Sequence, residues 1–249
     1  MTDTVSRRIN WSKLGLESVA VLLSILAALA IDASWARYQA GLEERATLER
    51  VLAEFEANRT ELEFVGSSHQ RVHDFGLGLL EVAYGRSDLS DDSARHLRIL
   101  LGMSIYYDPS TGALAGFLGG DQPGLVADPE LTDRIAGFPA KVDELWQQQG
   151  LLRELIAESI QPYVVESSDR LLALPPALSS ESMHELRSRL FGPEDDARLL
   201  ELLSDAELRN LIAARVMLEG ESLQKHEQLT IEFDAIEQGL RQALGQGSS

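Results

Sequence analysis

Apolar residues recur at spacings of three, four and seven through Leu48, Leu52, Phe55, Leu62, Val65, Val72, Leu79 and Ala83, the stripe of a helix with one buried face. Gly66-Ser67-Ser68 is a candidate bend, and the polar pair Asn58-Arg59 interrupts the stripe. A second helix is expected to open at Ser90 as N-cap, with Asp91 and Asp92 in its first turn, where the helix dipole favours acids, and to end before Pro109. A short helix follows in the glycine-rich stretch 110–127, and Asp128-Pro129 reads as the capped start of another. The period resumes through Val142, Leu145, Leu152, Leu155, Ile156 and Tyr163, with Pro139 and Pro162 as kinks or breaks. Pro175-Pro176 mark a linker over residues 174–179. Ser204 and Glu207 read as the capping box of a long last helix carrying Leu208, Leu211, Leu229, Phe233, Ile236, Leu240 and Leu244. Residues 163–165 are the sole, weak strand candidate. The pattern predicts an all-α protein, an antiparallel helical bundle in which the first long helix packs on the last.

Upstream of that stripe the pattern changes. Residues 14–35 are largely apolar, broken by Glu17 near one end and Asp32 near the other. At about 1.5 Å per residue they extend roughly 33 Å, enough for a hydrocarbon core of about 30 Å. The strictly uncharged stretch, Ser18 to Ile31, is 14 residues, and a cleaved signal peptide or a buried core helix compete as readings. The anchor reading is preferred because the helical pattern continues past Trp35 with no Gly or Pro before Gly41. The expected organisation is a short cytoplasmic tail over 1–13, a transmembrane helix over 14–36 running into a long helix, an acidic helical extramembrane domain over 37–245, and a tail over 246–249.

At about 100 degrees per residue, Glu17, Ser24, Ala28 and Trp35 share a narrow arc of the segment, with Asp32 at its margin. Lipid gains nothing from such a small, polar face, whereas another helix can approach it closely, so these five residues are a candidate face for self-association in the membrane. The alternative is that Glu17 and Asp32 simply lie at the two interfaces.

Charge sharpens the picture of the body. The chain carries a formal charge of -18; residues 1–38 are net +1, which leaves -19 for the rest. Such a body repels phosphate backbones and anionic headgroups, which argues against a nucleic-acid partner. Without cysteine there is no disulfide, thiolate metal site or nucleophilic thiol. Basic residues flank the segment equally, Arg7, Arg8 and Lys13 before it and Arg37, Arg45 and Arg50 after it; the nearly acid-free tail favours N-terminus inside and the bulk of the chain in the periplasm.

The segment from Leu16-Glu17-Ser18-Val19 through Leu29-Ala30-Ile31-Asp32 to Trp35 resembles the N-terminal signature of a family of uncharacterised bacterial single-span membrane proteins, a domain of unknown function whose span opens with Glu and closes with Trp. A second match runs through Tyr106, Tyr107, Pro109, Ser110 and Thr111, then Gly119-Gly120, then residues 125–131. The chain departs from that pattern in lacking an aromatic residue before Leu114 and in an apparent insertion at 121–124. The resemblance covers about the first 150 residues and implies an anchor in the bacterial inner membrane and a helical domain, without an activity.

Catalytic motifs are few. His69 and His73, four apart on a helix, can face one metal with Asp74 or Glu63, but a third ligand from another element is not identifiable. Met183-His184-Glu185-Leu186-Arg187 is similar to the phospho-accepting segment of sensor kinases, yet no nucleotide-binding boxes follow. The glycine cluster of 112–124 carries neither phosphate-loop nor dinucleotide pattern, and Ser110-Thr111 reads as an N-cap rather than a nucleophile. No catalytic, cofactor-binding or metal residue is therefore assigned. The expectation is a non-enzymatic, membrane-anchored interaction or scaffold protein, with protein partners or a homo-oligomer formed through the anchor. A ligand-sensing extracytoplasmic domain acting through a partner is the alternative, and a metal-dependent hydrolase the least favoured.

Overall fold

In the computed structural model the structure describes residues 11–119, 128–167 and 193–245, with side chains placed from residue 22 and, after the last break, from residue 196. The protein is all-α, and no strand occurs among the described residues. Two units divide the chain, Met1–Arg50 and Val51–Ser249.

The first unit is helical from Trp11 onward, within α1 (Trp11–Ala83). Every residue from 22 to 43 is exposed. Leu22, Leu23, Ile25, Leu26, Leu29 and Ile31 are each more than half exposed, as are Trp35 and Tyr38, whose rings are 5.8 Å apart. Among the residues with placed side chains, which begin at 22, inside the expected span, no helix is long and apolar enough to cross a membrane. Of the expected association face, Ser24, Ala28, Asp32 and Trp35 are exposed, and the side chain of Glu17 lies outside the described residues.

The second unit is built on the rest of α1, α4 (Pro129–Leu155) and a 38-residue helix, α7 (Ala206–Ala243). Contacts run in opposite order along α1 and α7: Arg59 meets Glu237, His69 meets Glu219, and Gly76 lies against Val216. The same holds for α4 and α7, where Gly239 abuts Leu131, Arg134 pairs with Glu232 and Glu144 with Lys225. Two apolar layers result. One is centred on Phe55, Phe138 and Phe233, with ring centres 4.8 to 5.4 Å apart. The other gathers Val72, Leu79, Leu97, Leu100, Ile160, Leu202 and Ile212. Each helix changes character between these layers: Ser68 and His69 on α1, Gln149 on α4, and Arg215, Glu219, Ser222 and His226 on α7 are all buried.

The connecting elements correct several local expectations. Helix α2 (Ser93–Gly102) starts later than expected, because Ser90 and Ser93 first close a turn: Ser90 N–H donates to Ser93 Oγ and Ser93 N–H to the Ser90 carbonyl. It ends at Gly102, and residues 103–111 are extended or irregular. Asp128 caps α4 as expected, its carboxylate accepting from Glu130 N–H at 2.9 Å. Pro139 neither breaks nor ends α4. Pro162 acts differently: a π turn, Ile156–Ile160, precedes it, with Gln161 N–H bonding the Ile156 carbonyl. Proline has no N–H and crowds the carbonyl four residues back, and the wider turn absorbs both effects. The strand candidate at 163–165 is helical, within α5 (Gln161–Glu166). The cap of α7 is Asp205, which accepts from Glu207 N–H at 2.9 Å; Ser204 ends α6 (Pro193–Ser204) and donates to the Glu201 carbonyl. The linker expected at 174–179 and the segment around His184 lie outside the described residues.

Candidate functional site

Residues Arg215, Glu219, Ser222 and His226 follow one another at intervals of four, three and four, which puts all four on one face of α7. That face points inward: the most exposed of them, His226, retains 4% of its surface. A charged pair survives there only with internal partners. Arg215 Nε donates to Glu219 Oε1 at 3.1 Å, and Arg215 Nη2 donates to the Met103 carbonyl. The other carboxylate oxygen of Glu219 accepts from His69 Nδ1. Both oxygens of a buried carboxylate are thus engaged, one by an arginine and one by a histidine.

Tyr107 enters from the chain after α2, and its own backbone holds it in place. Its N–H donates to Gln149 Oε1 at 3.2 Å, while its carbonyl accepts from Trp146 Nε1 at 2.9 Å. The same connection is fixed to α1 by Asn58, which bonds both the N–H and the carbonyl of Ser110. Glu54 then closes the start of α3 (Gly112–Gly119), accepting from Ala113 N–H at 2.7 Å and Leu114 N–H at 2.9 Å. Asn58-Arg59 therefore does not interrupt the packing face of α1, since Asn58 fastens the connection and Arg59 reaches Asp234 and the buried Glu237.

The His69 and His226 rings lie 5.2 Å apart, and Tyr107 meets His226 edge-on at 6.5 Å. Around these rings, buried polar atoms accumulate with no hydrogen-bond partner among the described residues: His69 Nε2, both nitrogens of His226, Tyr107 OH, Gln149 Nε2, Ser222 Oγ and Arg215 Nη1. A buried group left unpaired costs about 1–3 kcal/mol, so such a concentration needs partners from outside the chain, whether water, an ion or a ligand. Burial, with His69 alongside, pushes the His226 pKa down to about 3. Burial, with Glu61 nearby, raises that of the Tyr107 phenol. The Arg215 guanidinium is lowered by burial, against the opposing effect of Glu219.

An open groove of about 610 Å³ is lined by Glu63, Gly66, Gln70, Gly220, His226 and Glu227, among others. Gly66 and Gly220 line it: a Cβ at Gly66 would sit 3.6 Å from His226 Nδ1, and one at Gly220 3.6 Å from His73 Nε2, both ordinary contacts.

The metal pairing of His69 with His73, weighed from the sequence and not assigned, is not formed. His69 turns inward to Glu219, whereas His73 is partly exposed and lies 3.3 Å from Asp74. Glu63, the other ligand considered, is bound to Arg59. Among the described residues no three His, Asp or Glu side chains converge on one metal position. Sequence reasoning missed Arg215, Glu219, Ser222, Tyr107 and Gln149, although the spacing of the polar residues on α7 was available as a signal. No family model matches the chain, and neither does any curated protein or solved structure.

Proposed function

We propose that the chain is a membrane-attached, non-enzymatic helical protein that acts through protein contacts. Residues 14–36 sit in a bilayer, the bacterial inner membrane, and residues 37–245 form an antiparallel bundle on its periplasmic side. The observation that carries this reading is the first unit: from 22 to 43 every residue is exposed, large apolar side chains included, and nothing among the described residues covers them. In water such a surface is an aggregation hazard, and a lipid phase removes it. The resemblance at Glu17 to Trp35 supports the same placement, and the face of Glu17, Ser24, Ala28, Asp32 and Trp35 is the proposed contact between copies.

Single cysteines placed in the cysteine-free full chain test it. The expected result is fractionation with membranes that resists alkaline carbonate, labelling of Ser248→Cys but not Ser6→Cys from outside intact cells, and cross-linking through Ser24→Cys. Release by carbonate would overturn membrane attachment, labelling of Ser6→Cys alone would invert the topology, and absence of the cross-link would remove the contact between copies.

A second reading, ligand sensing by the extramembrane domain through a partner protein, is favoured by the buried polar layer and its unpaired atoms.

A further inference from the structure

We propose that His69 and His226 together bind a transition-metal cation of the zinc type between the two apolar layers of the helical unit. With metal–nitrogen bonds of about 2.0–2.1 Å, two imidazoles sharing one ion at a tetrahedral angle have ring centres roughly 5 Å apart. The two rings here are 5.2 Å apart. His69 Nε2 and both nitrogens of His226 are buried without a partner among the described residues, so each ring has a lone pair to give. Glu219 completes the arrangement for His69. By accepting from Nδ1 it fixes the tautomer and leaves Nε2 as the donor to a metal, the carboxylate–histidine pairing through which proteins orient such ligands. Arg215 in turn holds the second oxygen of Glu219.

Charge decides between a cation and an anion. The groove above His226 is rimmed by Glu63 and Glu227, and the chain as a whole carries -18. That field concentrates cations and repels carboxylates and phosphates. Imidazole nitrogen selects zinc, copper or nickel over magnesium and calcium, which want oxygen. With no third His, Asp or Glu converging among the described residues, the remaining positions fall to water. The site is independent of membrane attachment, because every residue in it belongs to the second unit.

The full chain, purified in detergent and stripped with a chelator, is titrated with Zn2+ and with Co2+ as a coloured substitute. The expected result is one ion per chain, an absorption band of nitrogen-ligated Co2+, and a chelator-reversible rise in Tm of roughly 5–10 °C at a hundredfold excess over Kd. His69→Gln and His226→Gln lose all three. Glu219→Gln weakens binding about 10–100-fold, and His73→Gln and His96→Gln leave it intact. A wild-type protein with no saturable binding and an unchanged Tm overturns the proposal, as does binding that survives both substitutions. Should His226→Gln fail to fold, as judged by circular dichroism, His69→Gln and the wild-type Co2+ spectrum still decide.

Discussion

Glycine carries more of the packing between α1 and α7 than its neighbours suggest. A Cβ at Gly76 would lie 2.3 Å from Val216 Cγ2 and 2.8 Å from Leu100 Cδ1. Replacing a helical glycine by alanine gains about 1 kcal/mol of propensity, but valine is stiff at χ1 and overpacking a core costs about 1–3 kcal/mol. Gly76→Ala is therefore expected to destabilise. Gly220→Ala, whose Cβ would meet only His73 at an ordinary 3.6 Å, is expected to stabilise by up to about 1 kcal/mol. Urea unfolding of the two variants measures the difference, and a Gly76→Ala protein as stable as the wild type would mean that the helices do not approach this closely. The sequence offered Gly66 as a bend because an isolated helical glycine has no local sign of its neighbours; α1 runs through it, and it faces the His226 ring at a distance where a Cβ would make ordinary contact.

At the scale of elements, polar side chains tie segments distant in sequence together around the site. Glu54 on α1 caps α3, nearly 60 positions later in the chain, through two backbone N–H groups. Removing a cap costs about 0.5–2 kcal/mol. Glu54→Ala is thus expected to speed amide exchange at Ala113 and Leu114 by about tenfold while leaving α1 and α7 protected; unchanged exchange at those two amides would show that the cap does not hold α3. The elements themselves were legible where their signals are local, as in the apolar period of α1 and α7 and the Asp128-Pro129 start of α4. They were misplaced by one or two residues where neighbouring polar residues compete for a cap, as with Ser204 and Asp205 or Ser90 and Asp92. The polar layer was illegible for a different reason. Arg215, Glu219 and His226 each read as solvated residues by default, and only their registry with His69, Tyr107 and Gln149 on other elements makes them interior. Registry between helices is a long-range property, and no single-helix pattern contains it.

For the whole molecule, the buried histidine ties stability to pH. His226 has a folded-state pKa near 3 against an ordinary value of 6.5, because burial disfavours its charged form. Above about pH 6.5 both states are neutral and the group makes no difference to folding. Below that, the unfolded chain takes up a proton that the folded chain refuses, so stability is lost as pH falls from about 6.5 towards about 3, with a slope approaching 1.4 kcal/mol per pH unit, or about tenfold in the folding constant. Burial also lowers His96, which adds in the same direction. Glu144, held low by its hydrogen bond to Lys225, contributes only where carboxylates titrate. The metal-stripped protein is accordingly expected to lose stability from about pH 6 downward, before its carboxylates are protonated, and His226→Gln to flatten the profile from there to about pH 4, its effect on the slope fading only as the pH nears 3. Urea midpoints measured at half-unit intervals between pH 7 and 4 test this. Equal slopes for the wild type and His226→Gln would mean that the ring takes up its proton in the folded state, which requires a counter-charge or water at the polar layer beyond the pairs that Glu219 already makes with Arg215 and His69.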